Sequence, residues 1–237
     1  MRVLTIVHQR NAGAGVFGEA AEAGGHEVVE WVPAEGPPPS EDGFAAAMVF
    51  GGAMHVDQEE DNPWLTAEKA FLRELVESGT PTLGTCLGSQ LLAEAVGASP
   101  RRADRPEIGW HAIELTAEGE RDPLLGPLAG GFEGFGWHSY EFPLPPGADA
   151  LARSWVCLQA FRLRERPVWG LQFHAEVTRE TLASWIDDYD SDEDAVRMGL
   201  DPDALRNESA RRIGAWNELG RGISGRFLRE AEALIPA

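Results

Sequence analysis

The chain has two cysteines in 237 residues, Cys86 and Cys157. Two thiols make no disulfide framework, so the sequence reads as a cytoplasmic protein in a reducing compartment. Lys69 is its one lysine, and 39 acidic residues leave a formal net charge of -19. Such a surface repels polyanions, which excludes nucleic acid and anionic membranes as partners. The scarcity of lysine reads as a compositional bias toward arginine. No stretch approaches the roughly 18 consecutive apolar residues of a membrane span. The opening "MRVLTIVHQRNAG" has a short apolar run, stopped at once by Gln9, Arg10 and Asn11. It predicts a first strand rather than a signal peptide. The phosphate-binding pattern G-x-x-x-x-G-K-[ST] is absent, which argues against a built-in ATP-using synthetase. Internal repeats are also missing.

What is present is an ordinary globular composition with 43% hydrophobic residues, enough for one α/β domain or two small ones. "RVLTIVH" (2–8), "HEVVEWV" (26–32), "FAAAMVFGG" (44–52) and "TPTLGTC" (80–86) predict strands, the first and third buried on both faces. "VFGEAAEAGG" (16–25) predicts a helix capped by Gly-Gly. "NPWLTAEKAFLRELVESG" (62–79) carries proline in its first turn and Gly79 at its end, and "LGSQLLAEAVGA" (87–98) follows the fourth strand as a helix. The segment 34–43, rich in proline and glycine, predicts a loop. This alternation implies a parallel sheet covered on both faces. From 98 to about 173 strand-like runs predominate, among them "GWHAIELT" and "PVWGLQFH", and suggest mixed or antiparallel sheet. A helix at 178–189 with Thr178 as cap, an acidic run "DDYDSDED" (187–194) read as a solvated connection, and one or two amphipathic helices complete the chain.

Residues 13 to 18, "GAGVFG", match G-x-G-x-x-G between a strand and a helix, with Glu30 near the end of the next strand. That is the setting of a dinucleotide fingerprint. Against it stand the bulk of Phe17 and a chain too short for two mononucleotide halves plus a substrate domain. A glycine-rich turn is the better reading.

"LGTCLGSQLL" (83–92) carries chemistry. A strand ending at Cys86 and a helix starting near Leu87 set the thiol in a sharp turn, with Gly84 and Gly88 removing side chains that would clash. This is nucleophile-elbow logic with sulfur in place of oxygen. The helix N-terminus favours the thiolate, and the Leu87 N–H can hold an oxyanion. A thiolate nucleophile needs a histidine and an orienting carboxylate. Of six histidines, His174 ends an apolar strand and is followed by Glu176 on the same side of an extended chain. A second oxyanion donor is expected from "VFGGAM" (49–54), where Gly51 and Gly52 allow close backbone approach to a substrate. Cys157 reads as a core residue. No metal site and no cofactor are expected.

With these residues in place, "GTCLGSQLL", "FGG" and "GLQFHAE" resemble, in order and spacing, the three signatures of class I (triad) glutamine amidotransferases. The likeness covers most of residues 1 to 190 and is nearest to free-standing members similar to the glutaminase part of GMP synthase. It implies Cys86 as nucleophile, His174 as acid and base, Glu176 as its orienter, and Gly52 and Leu87 as oxyanion donors. It further implies that Gln90 and the segment "GWHSYEF" (136–142), with Trp137, His138, Ser139 and Tyr140, contact the substrate. Two departures stand out. Ala175 replaces the family's usual proline, which alters stiffness more than chemistry. Ser139 and Tyr140 stand where near relatives usually carry Gly-Asp, which leaves both glutamine and other γ-glutamyl compounds open as substrate.

The expected fold is a flavodoxin-like three-layer α/β/α sandwich. Its central sheet would be mainly parallel with an antiparallel extension and would carry the site at the carboxyl ends of its strands. Residues 1–190 would form the amidotransferase domain, and 191–237 a helical extension packed on it. The expected activity is hydrolysis of glutamine through a γ-glutamyl thioester, releasing ammonia to a separate synthetase subunit or to water. A γ-glutamyl peptidase with the same triad is the alternative, and a non-catalytic binding module that keeps the fold is a further one. A homo-oligomer is compatible with all three.

Overall fold

The computed structural model describes residues 1–40 and 43–235. Glu41 and Asp42, at the end of the expected 34–43 loop, lie outside the described residues. The described strands form one nine-stranded mixed sheet. Its first half comprises β1 (Arg2–Ile6), β2 (Glu27–Trp31), β3 (Ala46–Val49), β4 (Thr82–Thr85) and, late in the chain, β9 (Val168–Leu171). These lie in the order β2-β1-β3-β4-β9 and every pairing among them is parallel. The second half, β5 (Arg101–Leu115), β6 (Phe132–Glu141), β7 (Ala148–Arg153) and β8 (Leu158–Leu163), continues as β9-β8-β7-β5-β6 with antiparallel pairing throughout. The expectation of a mainly parallel sheet therefore describes only one half. The physical reason is connectivity. Parallel neighbours need long crossovers, whereas β7, β8 and β9 follow one another through short links at 154–157 and 164–167 that only antiparallel neighbours can use.

Among the described residues, helices pack on the sheet in two groups. α1 (Gly15–Ala23), α4 (Arg179–Asp187) and α6 (Pro202–Ala233) share one apolar core, containing Phe17, Leu182, Trp216 and Phe227 with Trp169 and Phe173. α2 (Trp64–Ser78) and α3 (Leu87–Ala95) share a second, containing Leu72, Leu75 and Leu91 with Phe161 and Ile6. The parallel strands β3 and β4 are buried along their whole length because helices lie on both sides of them. α5 (Glu193–Met198) is a short link. Local chemistry sets the ends. Gly79 takes φ +79° to close α2, Thr178 accepts the Thr181 N–H to open α4, and Asp201 caps α6 ahead of Pro202. No helix among the described residues is long and apolar enough to cross a membrane.

Two details place the site. The "PVWGLQFH" run leaves the sheet at Leu171, and the His174 N–H donates instead to the Phe135 carbonyl of β6 at 2.8 Å. The glycines of "GAGVFG" serve packing. Gly15 adopts φ +46°, and a Cβ there would lie 2.0 Å from the Glu176 carbonyl oxygen, which accepts the Val16 N–H. Gly15 thus lets α1 begin directly against the segment that carries His174 and Glu176.

Candidate active site

Cys86 sits between β4 and α3 with φ +51° and ψ -112°, the only non-glycine residue at positive φ among the described residues. Such backbone costs of order 1–3 kcal/mol and persists only where surroundings hold it. Three neighbours do so here. The Cys86 N–H donates to the Leu171 carbonyl at 2.8 Å. A Cβ on Gly84 would fall 2.7 Å from the Gly88 carbonyl, and one on Gly88 would fall 2.2 Å from that of Val49. The turn therefore needs both glycines. The sulfur is set at the start of α3, where the helix dipole favours negative charge.

His174 and Glu176 reach the same place from beyond β9. Glu176 Oε1 accepts from His174 Nδ1 at 2.7 Å, and both side chains are buried. Burial alone would lower the His174 pKa. The Glu176 charge, the Cys86 sulfur and hydrogen bonds to both outweigh it and raise the pKa from 6.5 to about 10. The imidazole thus sits between a carboxylate and a sulfur that both favour its cationic form. Trp185 of α4 packs edge-on against the ring at 4.9 Å, and Trp216 of α6 donates to the His174 carbonyl at 2.8 Å. A Cβ on Gly51 would lie 2.9 Å from His174 Cε1, so the ring passes through space that only glycine leaves open.

Cys86, His174, Gly52, Leu87 and Gln90 line a cavity of about 360 Å³. Trp137, His138, Ser139 and Tyr140 on β6 line it as well, with the Trp137 carbonyl 3.9 Å from the Cys86 sulfur. Of the expected substrate and oxyanion residues, only Gly51 is not on the cavity lining, and it stands just behind, against His174 and Cys86. Gln90 is engaged by the protein itself, donating to the Tyr140 carbonyl and Gln172 Oε1, each at 3.2 Å. His138 Nδ1 donates to the Tyr140 carbonyl at 2.9 Å, and its Nε2 lies 3.3 Å from Glu107 Oε2. Tyr140 stacks on His55 at 4.2 Å and its hydroxyl donates to Asp57.

The expectation that 187–194 is a solvated connection holds for Asp187, Asp188, Asp190 and Glu193, which are exposed, but not for Asp192 and Asp194. Asp188, Asp192 and Asp194 line the cavity. Asp192 accepts from Trp137 Nε1 at 2.9 Å and also caps α5. Asp194 accepts from the Ser139 hydroxyl and from Arg102 at 2.6 Å. Burial pushes its carboxyl up, but Ser139 and Arg102 outweigh that and hold it below the usual range. Asp192 and Asp194 thus tie α5 to β6 and β5. The Asp-x-Asp-Ala cap at 192–195 was the available signal, but nothing local points to Trp137 or Arg102. His8 was missed as well: buried behind the cavity, it contacts Glu68 and Gly51.

Glu107, His138 and Cys157 place ligand-type atoms within 4.8 Å of one another, all buried. Cys157 and Gln159 donate to the same carboxylate oxygen of Glu107, at 3.4 and 2.6 Å. Burial and Glu107 push the Cys157 thiol up, away from the thiolate that a metal would require. Charge and hydrogen bonding bind these residues to one another.

The sequence profile of the family described as glutamine amidotransferase class-I matches residues 22–188. The chain belongs to that family. Among its relatives, the glutamine amidotransferase-like protein YfeJ of Salmonella typhimurium is 32% identical over 192 residues, covering 78% of this chain and 80% of its own. One subunit of the glutamine-hydrolyzing GMP synthase of Haloquadratum walsbyi is 32% identical over 135 residues, covering 56% of this chain and 67% of its own. Gamma-glutamyl-L-1-hydroxyisopropylamide hydrolase of a Pseudomonas species is 28% identical over 161 residues, covering 61% and 54%. The crystal structure of a glutamine amidotransferase from Thermotoga maritima superposes with a TM-score of 0.86 at 27% identity, covering 96% of this chain and 98% of that one. The class-I amidotransferase fold thus accounts for the α/β architecture and its mixed sheet.

Proposed function

We propose that the protein hydrolyses the side-chain amide of glutamine, or a closely related γ-glutamyl amide, through a thioester on Cys86. The observation that carries this reading is a strained cysteine at a helix N-terminus, beside a histidine whose Nδ1 lies 2.7 Å from a buried carboxylate. The scaffold is read as a flavodoxin-like three-layer sandwich with this site at the carboxyl ends of its parallel strands.

The chemistry follows from the charges. The Cys86 thiolate attacks the amide carbon, and the carbonyl π electrons move onto oxygen. The N–H groups of Gly52 and Leu87 donate to that oxyanion. As the C–N bond breaks, the His174 imidazolium gives its Nε2 proton to the departing nitrogen, which leaves as ammonia. Glu176 keeps the ring oriented and stabilises its charge. Neutral His174 then takes a proton from water. The resulting hydroxide attacks the thioester, glutamate departs, and the thiolate–imidazolium pair returns. A relative named as one subunit of a synthase supports a role as the ammonia-supplying partner of a separate polypeptide.

A second reading has a specific observation behind it. Ser139 and Tyr140 occupy the recognition positions, Tyr140 is stacked on His55, and one relative is named for hydrolysis of a γ-glutamyl alkylamide. A γ-glutamyl amide of a larger amine fits the same chemistry. The deciding experiment measures ammonia from glutamine beside amine from γ-glutamyl alkylamides and dipeptides, with Cys86→Ala as control. Faster turnover of the larger amides selects the second reading. No turnover of either class rejects both.

A further inference from the structure

Among the buried histidine–carboxylate pairs that the mechanism does not use, one lies against the Gly51–Gly52 segment. His8 follows β1 and Glu68 lies on α2, and both side chains are completely buried. Glu68 Oε1 accepts from His8 Nε2 at 2.8 Å, and the Gly51 carbonyl accepts from His8 Nδ1 at 3.2 Å. Trp64 stacks on the ring at 5.7 Å, fixing its plane. An isolated charge in such a place costs several kcal/mol, and even a paired one is weak evidence of stabilisation. The pair therefore invites a functional account.

We infer that His8, braced by Glu68, is a positioning residue that aims the Gly52 N–H at the substrate oxyanion. The Gly51 carbonyl and the Gly52 N–H belong to one peptide plane and point in opposite directions. Holding the carbonyl toward His8 turns the N–H to the other side. Gly52 lines the cavity, and its N–H has no acceptor among the described residues. A peptide between two glycines is the least constrained in the chain and would otherwise flip readily. Flipping would present a carbonyl oxygen where a donor is needed. The two acceptors, a carbonyl and a carboxylate, each call for a proton on the ring. Burial lowers the His8 pKa, but Glu68 and the two backbone carbonyls of Gly51 and Phe50 outweigh it and raise the value overall. A protonated ring on the carbonyl also draws electrons through the amide and strengthens the opposite N–H as a donor.

This inference rests on the proposed thioester chemistry and has its own test. His8→Leu removes the grip on Gly51, whereas His8→Asn keeps an N–H near the place of Nδ1. Three readouts are compared with the wild type: kcat and KM for the better amide, and the rate of Cys86 alkylation by iodoacetamide, a displacement that forms no oxyanion. His8→Leu should lose about 10- to 100-fold in kcat with KM and alkylation within about threefold, and His8→Asn should recover most of the loss. Glu68→Gln should show the same pattern more weakly, and it decides the matter if His8→Leu does not fold. Unchanged kcat in these variants, or equal loss of turnover and alkylation, overturns the inference while the thioester reading stands. A wild type that turns over no amide overturns that reading first.

Discussion

Trp216, near the middle of the 32-residue α6, donates its indole N–H to the backbone carbonyl of His174 at 2.8 Å. The C-terminal helix thus pins the segment on which the catalytic proposal depends. Trp216 is buried against Trp110, Phe132 and Phe173. Trp216→Phe keeps most of the apolar contact but leaves a buried carbonyl unpaired. It should cost about 1–3 kcal/mol of stability by denaturant unfolding and lower kcat more than it raises KM.

The electrostatics of His174 give a pH signature. Its folded pKa of about 10 lies above the ordinary 6.5, so the folded state binds this proton more tightly than the unfolded chain does. Its contribution to stability is complete below about pH 6.5 and is lost as pH rises through about 10. Activity should fall on the same alkaline limb. Glu176→Gln removes the strongest opposing charge and should move that limb down by about 1–3 pH units in kcat/KM profiles. A limb that stays put would show that another group controls it.

The glycine pair admits no methyl group. Gly51→Ala would push a Cβ to 2.9 Å from His174 Cε1, and Gly52→Ala one to 2.9 Å from His8 Cβ. Each should reduce kcat by about 100-fold or more, since a displacement near 1 Å of a catalytic group has that effect. Circular dichroism should show the fold retained, because the strain falls on side chains at a loop.

Asp194 ties α5 to β6 and β5 through Ser139 and Arg102. Asp194→Ala should raise KM about tenfold, the worth of one charged hydrogen bond, and leave the alkylation rate of Cys86 within about twofold. A loss confined to kcat would place this residue in the chemistry instead of in binding.

Much of this was legible in the sequence because its causes are local. The Cys86 turn announces itself through Gly84 and Gly88, and α2 through Pro63 and Gly79. His174 and Glu176 were paired by their spacing alone, although the chain there has already left the sheet and a contact with β6 holds it. What failed depends on distant partners. Four acids of the 187–194 run are exposed as expected, but Asp192 and Asp194 look the same in sequence until Trp137 and Arg102, more than 50 positions away, are found against them. The antiparallel half of the sheet was visible as strands but not as half of all pairings, since connection lengths, not composition, decide it. "GAGVFG" has the spacing of a nucleotide loop, yet Gly15 faces the Glu176 carbonyl. Gly15→Ala should therefore destabilise by about 2–4 kcal/mol in thermal unfolding, through a clash and a forced positive φ.

The most direct measurement is intact-mass and peptide spectrometry of the protein mixed with its better amide substrate and quenched in acid during turnover. The expected result is the mass of one γ-glutamyl group on the peptide containing Cys86, absent from Cys86→Ala, with amine release abolished in that variant. Turnover that persists without Cys86, or acylation found on Cys157 instead, would contradict it.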